Sequence, residues 1–170
     1  MAKSAAKRKI KAAARGKSAA RRPSRRRNGR AAAKTKTGAR AKRTPKQTFV
    51  ASHYDEADFK QGLRAYAKYR DLGIAAATSG LARAHVIRMI GPCNPDEVSK
   101  LHHHDVDLQL VYVLKGWMTS EFEGEGAITM REGSCWLQPP KIKHKVLDYS
   151  HDCEVLEIIL PADFATVELE

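Results

Sequence analysis

Leu101 to Gly116 reads LHHHDVDLQLVYVLKG, and both the fold and the chemistry of the chain turn on it. His102 and His104 are separated by one residue. Side chains on a strand alternate with a period of two, so the pair places two imidazoles on one face. A second stretch, GSCWLQPPKIKHKVLD from Gly133 to Asp148, brings His144. Three neutral imidazoles converging on one point have few uses apart from holding a borderline transition metal. Gln109 lies five positions beyond His104 and is of opposite parity. Both can face the interior only if the strand breaks between them, and Asp105-Val106-Asp107 is a plausible break. Beyond it Gln109, Val111 and Val113 line the interior, with Leu110, Tyr112 and Leu114 facing a second layer.

Working outward, short apolar runs alternate with turn signals. Upstream, IAAA leads to the Thr78-Ser79-Gly80 turn, RAHVIRMI runs to Gly91-Pro92, and Asn94-Pro95-Asp96 makes a loop. Downstream come WMTSEF, the Gly124-Glu125-Gly126 turn, AITM, the Glu132-Gly133 turn and CWLQ, which ends at Pro139-Pro140. HKVLDY then turns at Ser150-His151-Asp152 into CEVLEIILP. Roughly eight short strands without βα alternation predict an all-β domain, an antiparallel barrel or jelly roll. Ahead of them, Asp55 can cap a short N-terminal helix carrying Phe59, Leu63, Tyr66 and Ala67 on one buried face and ending before Gly73. The expected organisation is a tail over 1–46, a helical segment over 47–69 and a β-barrel domain over 70–165.

The pattern His102-x-His104-(x)4-Gln109-(x)6-Gly116 resembles the first motif of the cupin family, with Gln109 where the family usually has Glu. Gly133-(x)5-Pro139, followed by His144-(x)3-Asp148, is similar to the second, with Lys141 replacing the usual glycine and Asp148 the usual asparagine. The short stretch between them, Trp117 to Glu132, is like that of small bacterial single-domain cupins. The resemblance covers roughly residues 70 to 162. It implies a jelly-roll barrel holding one divalent transition metal through His102, His104, Gln109 and His144, and a homodimer. Iron, nickel, manganese and zinc all suit such ligands. A glutamate ligand would add a negative charge and a potential general base. A neutral amide supplies neither, and leaves a three-histidine site with a weak fourth oxygen.

Around these positions, His103 falls on the opposite face, and His53, His85 and His151 have no partners at ligand spacing. Asp105, Asp107 and Asp148 are candidates to hold the far N–H of a ligand imidazole. Glu157, in an otherwise apolar strand, is either a pocket acid or a rim residue. Arg83 and Arg88 lie on opposite faces, so at most one reaches a pocket and could pair with an anionic substrate. Trp117 and Tyr112 are expected in the core.

Charge divides the chain in two. Residues 1–46 carry 19 of the 31 Lys and Arg and no Asp or Glu, whereas residues 47–170 carry 12 against all 19 acids. The first part is Ala, Lys, Arg, Ser, Thr and Gly with few large apolar residues, a composition that predicts a disordered cationic arm. Such an arm can neutralise nucleic-acid phosphates without reading bases, since it has no aromatic residue to stack. A transit peptide, or a translated stretch ahead of the physiological start, are the other readings. Cys93, Cys135 and Cys153 have no CxxC spacing, which disfavours a disulfide framework and suits a reducing cytoplasm, with the thiols as small buried hydrophobes. No apolar run approaches the ~20 residues of a membrane span, and the N-terminus lacks the apolar core of a secretory signal.

Together with the three histidines, the resemblance implies a mononuclear metal-binding protein acting on a small molecule, O2-dependent in the manner of a dioxygenase, with isomerase or lyase chemistry as the nearby variant. The alternative is a non-catalytic small-ligand-binding or regulatory barrel, tethered to nucleic acid by its basic tail.

Overall fold

A computed structural model describes residues 45–169. The expected arm over 1–46 lies, but for its last two residues, outside the described residues. The described part is a two-sheet β structure. After a single 3-10 turn at Glu56–Asp58 come β1 (Lys60–Gln61), β2 (Ala67–Asp71), α1 (Ile74–Ala77), β3 (Arg83–Met89) and α2 (Pro95–Val98). The remaining strands are β4 (His102–Asp105), β5 (Leu108–Lys115), β6 (Trp117–Phe122), β7 (Gly126–Arg131), β8 (Cys135–Gln138), β9 (His144–Tyr149), β10 (Glu154–Leu160) and β11 (Ala165–Glu168). One sheet has the order β1-β2-β3-β10-β5-β8, the other β11-β4-β9-β6-β7. Every pairing is antiparallel, and the fold is the all-β jelly-roll architecture expected from the sequence.

The break between His104 and Gln109 is the point at which the chain changes sheets. β4 belongs to the five-stranded sheet and β5 to the six-stranded one, with only Val106 and Asp107 between them. The Asp107 N–H donates to the Leu160 carbonyl at 2.7 Å, which pins the crossing to β10. The parity change therefore turns both side chains into the space between the sheets. Along β5, Gln109, Val111 and Val113 are buried as expected. Tyr112 and Leu114 are about 40% exposed on the outer face, so Tyr112 is not a core residue.

Between the sheets, Met89, Val111, Val113, Met118, Phe122, Tyr149 and Val155 form the apolar core. Burying such side chains contributes about 1.5–3 kcal/mol each. β5 and β6 are joined through Gly116, whose φ of 69° favours glycine. A Cβ there would lie 2.2 Å from Ser150 Oγ and 3.1 Å from the Cys153 backbone, so the tight corner needs glycine twice over.

Two local expectations need correction. The helix over Phe59, Leu63, Tyr66 and Ala67 is reduced to the 3-10 turn, although Asp55 caps it through the Ala57 N–H at 2.9 Å. The four residues do not share a face: Phe59 and Ala67 are buried while Leu63 is 73% exposed. Phe59 lies under the Arg88 guanidinium, 3.8 Å from its ring centroid, and Lys60 and Gln61 pair with Tyr69 and Lys68 in a hairpin. Gly62 interrupts any helix and lets the Tyr69 ring approach the backbone more closely than a Cβ would allow. IAAA, read as a strand, is instead the turn of helix α1, entered from a left-handed Gly73. Three consecutive alanines favour that state. Among the cysteines only Cys153 is fully buried, while Cys135 is exposed on the outer face of β8.

Candidate metal centre

His102, His104 and His144 meet at one end of the space between the sheets. His102 on β4 stands directly opposite His144 on β9 in the strand register. Ring centroids are 4.4 Å apart for His102–His144, 5.0 Å for His102–His104 and 5.2 Å for His104–His144. One ring nitrogen from each lies within 4.8 Å of the others. His103 stays outside the cluster on the other face of β4, as alternation requires.

The tautomers follow from the hydrogen bonds. His102 Nδ1 is 2.7 Å from the Lys100 carbonyl, and His144 Nδ1 is 3.0 Å from that of Ile142. A carbonyl only accepts, so both Nδ1 atoms carry the proton and both Nε2 lone pairs face the cavity. His104 Nδ1 is 3.0 Å from the Thr166 hydroxyl on β11. The expected carboxylate partners do not serve: Asp105 pairs with Lys141 at 3.7 Å, and Asp148 accepts from the Tyr149 N–H. Backbone carbonyls two residues upstream do the orienting instead.

Burial lowers all three imidazoles, to about 4 for His102 and His104. Each is then neutral at pH 7, the state a metal ligand requires. Three neutral, pre-oriented imidazoles lining one cavity are chemically suited to hold a divalent transition-metal ion.

The opposite wall comes from the six-stranded sheet. Gln109 is 2% exposed. Its Nε2 donates to Glu157 Oε1 at 2.6 Å, and its Oε1 accepts from Gln138 Nε2 at 3.2 Å. Gln138 Nε2 is also 3.0 Å from His144 Nε2, and its own oxygen accepts from the Trp136 indole at 3.0 Å. The second Glu157 oxygen lies 2.6 Å from His85 Nε2, with both side chains about 12–13% exposed. Burial alone would push the Glu157 carboxyl up. The hydrogen bond and charge of His85, with the Gln109 N–H, outweigh it and hold the group below the usual carboxylate range. Glu157 is thus a pocket acid, and His85, read from sequence as an ordinary histidine, is its partner.

The cavity has a volume of about 620 Å³ and is walled by Tyr66, Tyr69, Trp136 and Phe164 besides the groups above. Arg83 lines it while Arg88 does not: Arg88 holds Glu56 and Glu154 at 2.7 and 2.6 Å. Gln138, Trp136, Phe164 and Thr166 were missed in the sequence. Gln138 and Trp136 share the inward parity of β8, a signal that four residues are too few to make plain.

A cupin domain family matches residues 93–159, which contain both histidine motifs. No curated protein matches the sequence. Among solved structures, KdgF from Halomonas sp. is 19% identical with a TM-score of 0.51, over 65% of this chain and 94% of that one. The polyketide cyclase RemF from Streptomyces resistomycificus is 14% identical with a TM-score of 0.54, over 70% of this chain and 85% of that one. Salicylate 1,2-dioxygenase from Pseudoaminobacter salicylatoxidans is 8% identical with a TM-score of 0.51, over 64% of this chain and 30% of that one. Such identities carry the fold alone. Both histidine motifs lie inside the matched stretch, and the two-sheet barrel built around them has the fold of a small cupin.

Proposed function

We propose that this cupin binds one divalent transition metal through His102, His104, His144 and the Gln109 oxygen, and catalyses O2-dependent oxidation of a small organic molecule. The observation that carries the reading is the convergence of three neutral imidazoles within 4.8 Å at the wall of a roughly 620 Å³ cavity. A bound ion would supply Lewis-acid or redox chemistry at positions left open for substrate. The chain's own residues do the rest. Tyr69, Trp136 and Phe164 offer apolar faces for a flat or unsaturated substrate. Glu157, with its oxygens held by Gln109 and His85, supplies a fixed negative charge beside the site. The fold neighbours include a dioxygenase and a cyclase, so likeness in fold is compatible with oxidative and non-oxidative chemistry alike.

The test is anaerobic purification, metal analysis and O2 uptake with a panel of enediols, diketones and phenols. Substrate-dependent uptake by protein carrying one iron or nickel per chain supports the proposal. Metal-replete protein that consumes no O2 with any of them leaves a non-oxidative or ligand-binding barrel. The proposal extends to a homodimer, read out by sedimentation, and to residues 1–46 as a non-specific nucleic-acid arm. Full-length protein should then bind DNA in a salt-dependent way that a chain beginning at Gln47 does not.

A further inference from the structure

Gln109 has an ambiguous side chain for a metal site, because one end of an amide attracts a cation and the other repels it. Which end faces the histidines is decided by its neighbours. Glu157 lies on β10, the strand that pairs with both β3 and β5, and its side chain sits diagonally across from Gln109 on the inner face. One of its oxygens is 2.6 Å from Gln109 Nε2 and the other 2.6 Å from His85 Nε2. A carboxylate offers lone pairs, so it takes the N–H end of the amide and turns Oε1 the other way. Oε1 then faces Gln138 Nε2, the same atom that lies 3.0 Å from His144 Nε2. Two lone pairs suited to one cation therefore converge on one donor.

The charge balance points in the same direction. Three imidazoles and an amide give a divalent ion no compensating ligand charge, whereas Glu157 stands one hydrogen bond behind the amide. A short hydrogen bond from Nε2 to a carboxylate shifts electron density toward Oε1 and makes it the better ligand.

We propose that Glu157 is a positioning residue that fixes Gln109 with its oxygen toward the metal and lends the site, through that amide, the negative charge a glutamate ligand would have carried directly. His85 holds the second oxygen, and the Tyr69 ring packs against His85 in a T-shaped pair with centroids 5.4 Å apart. The role of one ligand is thereby divided between β5 and β10. This inference rests on the metal reading above, and its test separates the two.

The experiment compares wild type, Gln109→Glu, Glu157→Gln and the double variant. Zn(II) and Co(II) affinities are measured by competition with a chelator, alongside Co(II) visible spectra and melting of the metal-free proteins. Gln109→Glu alone places two carboxylates face to face and weakens Zn(II) binding by about tenfold or more, although it adds a charged ligand. Glu157→Gln alone weakens it by a similar factor and alters the Co(II) spectrum. The double variant reverses the hydrogen bond, with the amide at 157 donating to the carboxylate at 109, and regains wild-type affinity or better. Gln109→Glu binding as tightly as wild type, or losses that simply add in the double variant, overturns the proposal. Should wild type bind neither ion, the metal reading itself fails. The positioning of Gln109 is then decided by melting alone: recovery in the double variant supports it, and additive losses overturn it.

Discussion

The two sheets build opposite walls of one cavity by different means. On the five-stranded sheet, His102 and His144 are held by carbonyls two residues upstream, and only His104 depends on a distant partner, Thr166. On the six-stranded sheet, Trp136, Gln138, Gln109, Glu157 and His85 form a chain of side-chain hydrogen bonds running across β8, β5, β10 and β3. The first wall is local and presents lone pairs. The second is non-local and sets which end of each amide those lone pairs meet.

The comparison breaks most sharply at the imidazoles. His104→Ala should lower metal affinity by more than about 100-fold, above the loss expected of an outer partner, while the fold persists. Metal analysis with circular dichroism checks both halves. Retained metal would remove His104 from the ligand set.

The same contrast explains what the sequence made legible. The HxH pair, the parity change before Gln109 and the turn glycines are short-range patterns, so the barrel and the imidazole wall could be read from them. Glu157 and His85 lie 72 residues apart and Gln109 and Gln138 lie 29 apart, and only strand register joins them. Alternation told that Glu157 was out of place among apolar neighbours, but not which residue would face it. The N-terminal helix failed for a related reason: spacing suggested one face, yet β2 and Arg88 divided Phe59 and Ala67 from Leu63.

A pH series tests the imidazole wall alone. The folded values of His102 and His104, about 4, lie below the 6.5 of a free imidazole. Their contribution to stability is therefore complete above about pH 6.5 and is lost as pH falls toward 4. Urea unfolding of the metal-free protein should lose on the order of 2–4 kcal/mol over that window. A flat profile would mean that the rings are not buried as neutral groups.

Gln138→Leu tests the amide wall. It unpairs the Trp136 indole and the Gln109 oxygen, and should cost the metal-free fold about 1–3 kcal/mol. Metal affinity should hold or rise, because Gln138 no longer engages His144. A fall in affinity would make Gln138 a ligand. The smallest effect is expected at Lys141, which adopts φ 64° in the connection before His144, at the position where the family usually has glycine. Lys141→Gly should stabilise the protein by up to about 1 kcal/mol, seen as a raised melting temperature.

The central claim is that one divalent metal is held by three imidazoles. X-ray absorption on protein reconstituted with a single transition metal tests it most directly. The account predicts one ion per chain with three nitrogen neighbours showing imidazole outer-shell scattering, falling to two in His104→Ala. An ion with fewer than three imidazoles in wild type, or no stoichiometric binding at all, would contradict it.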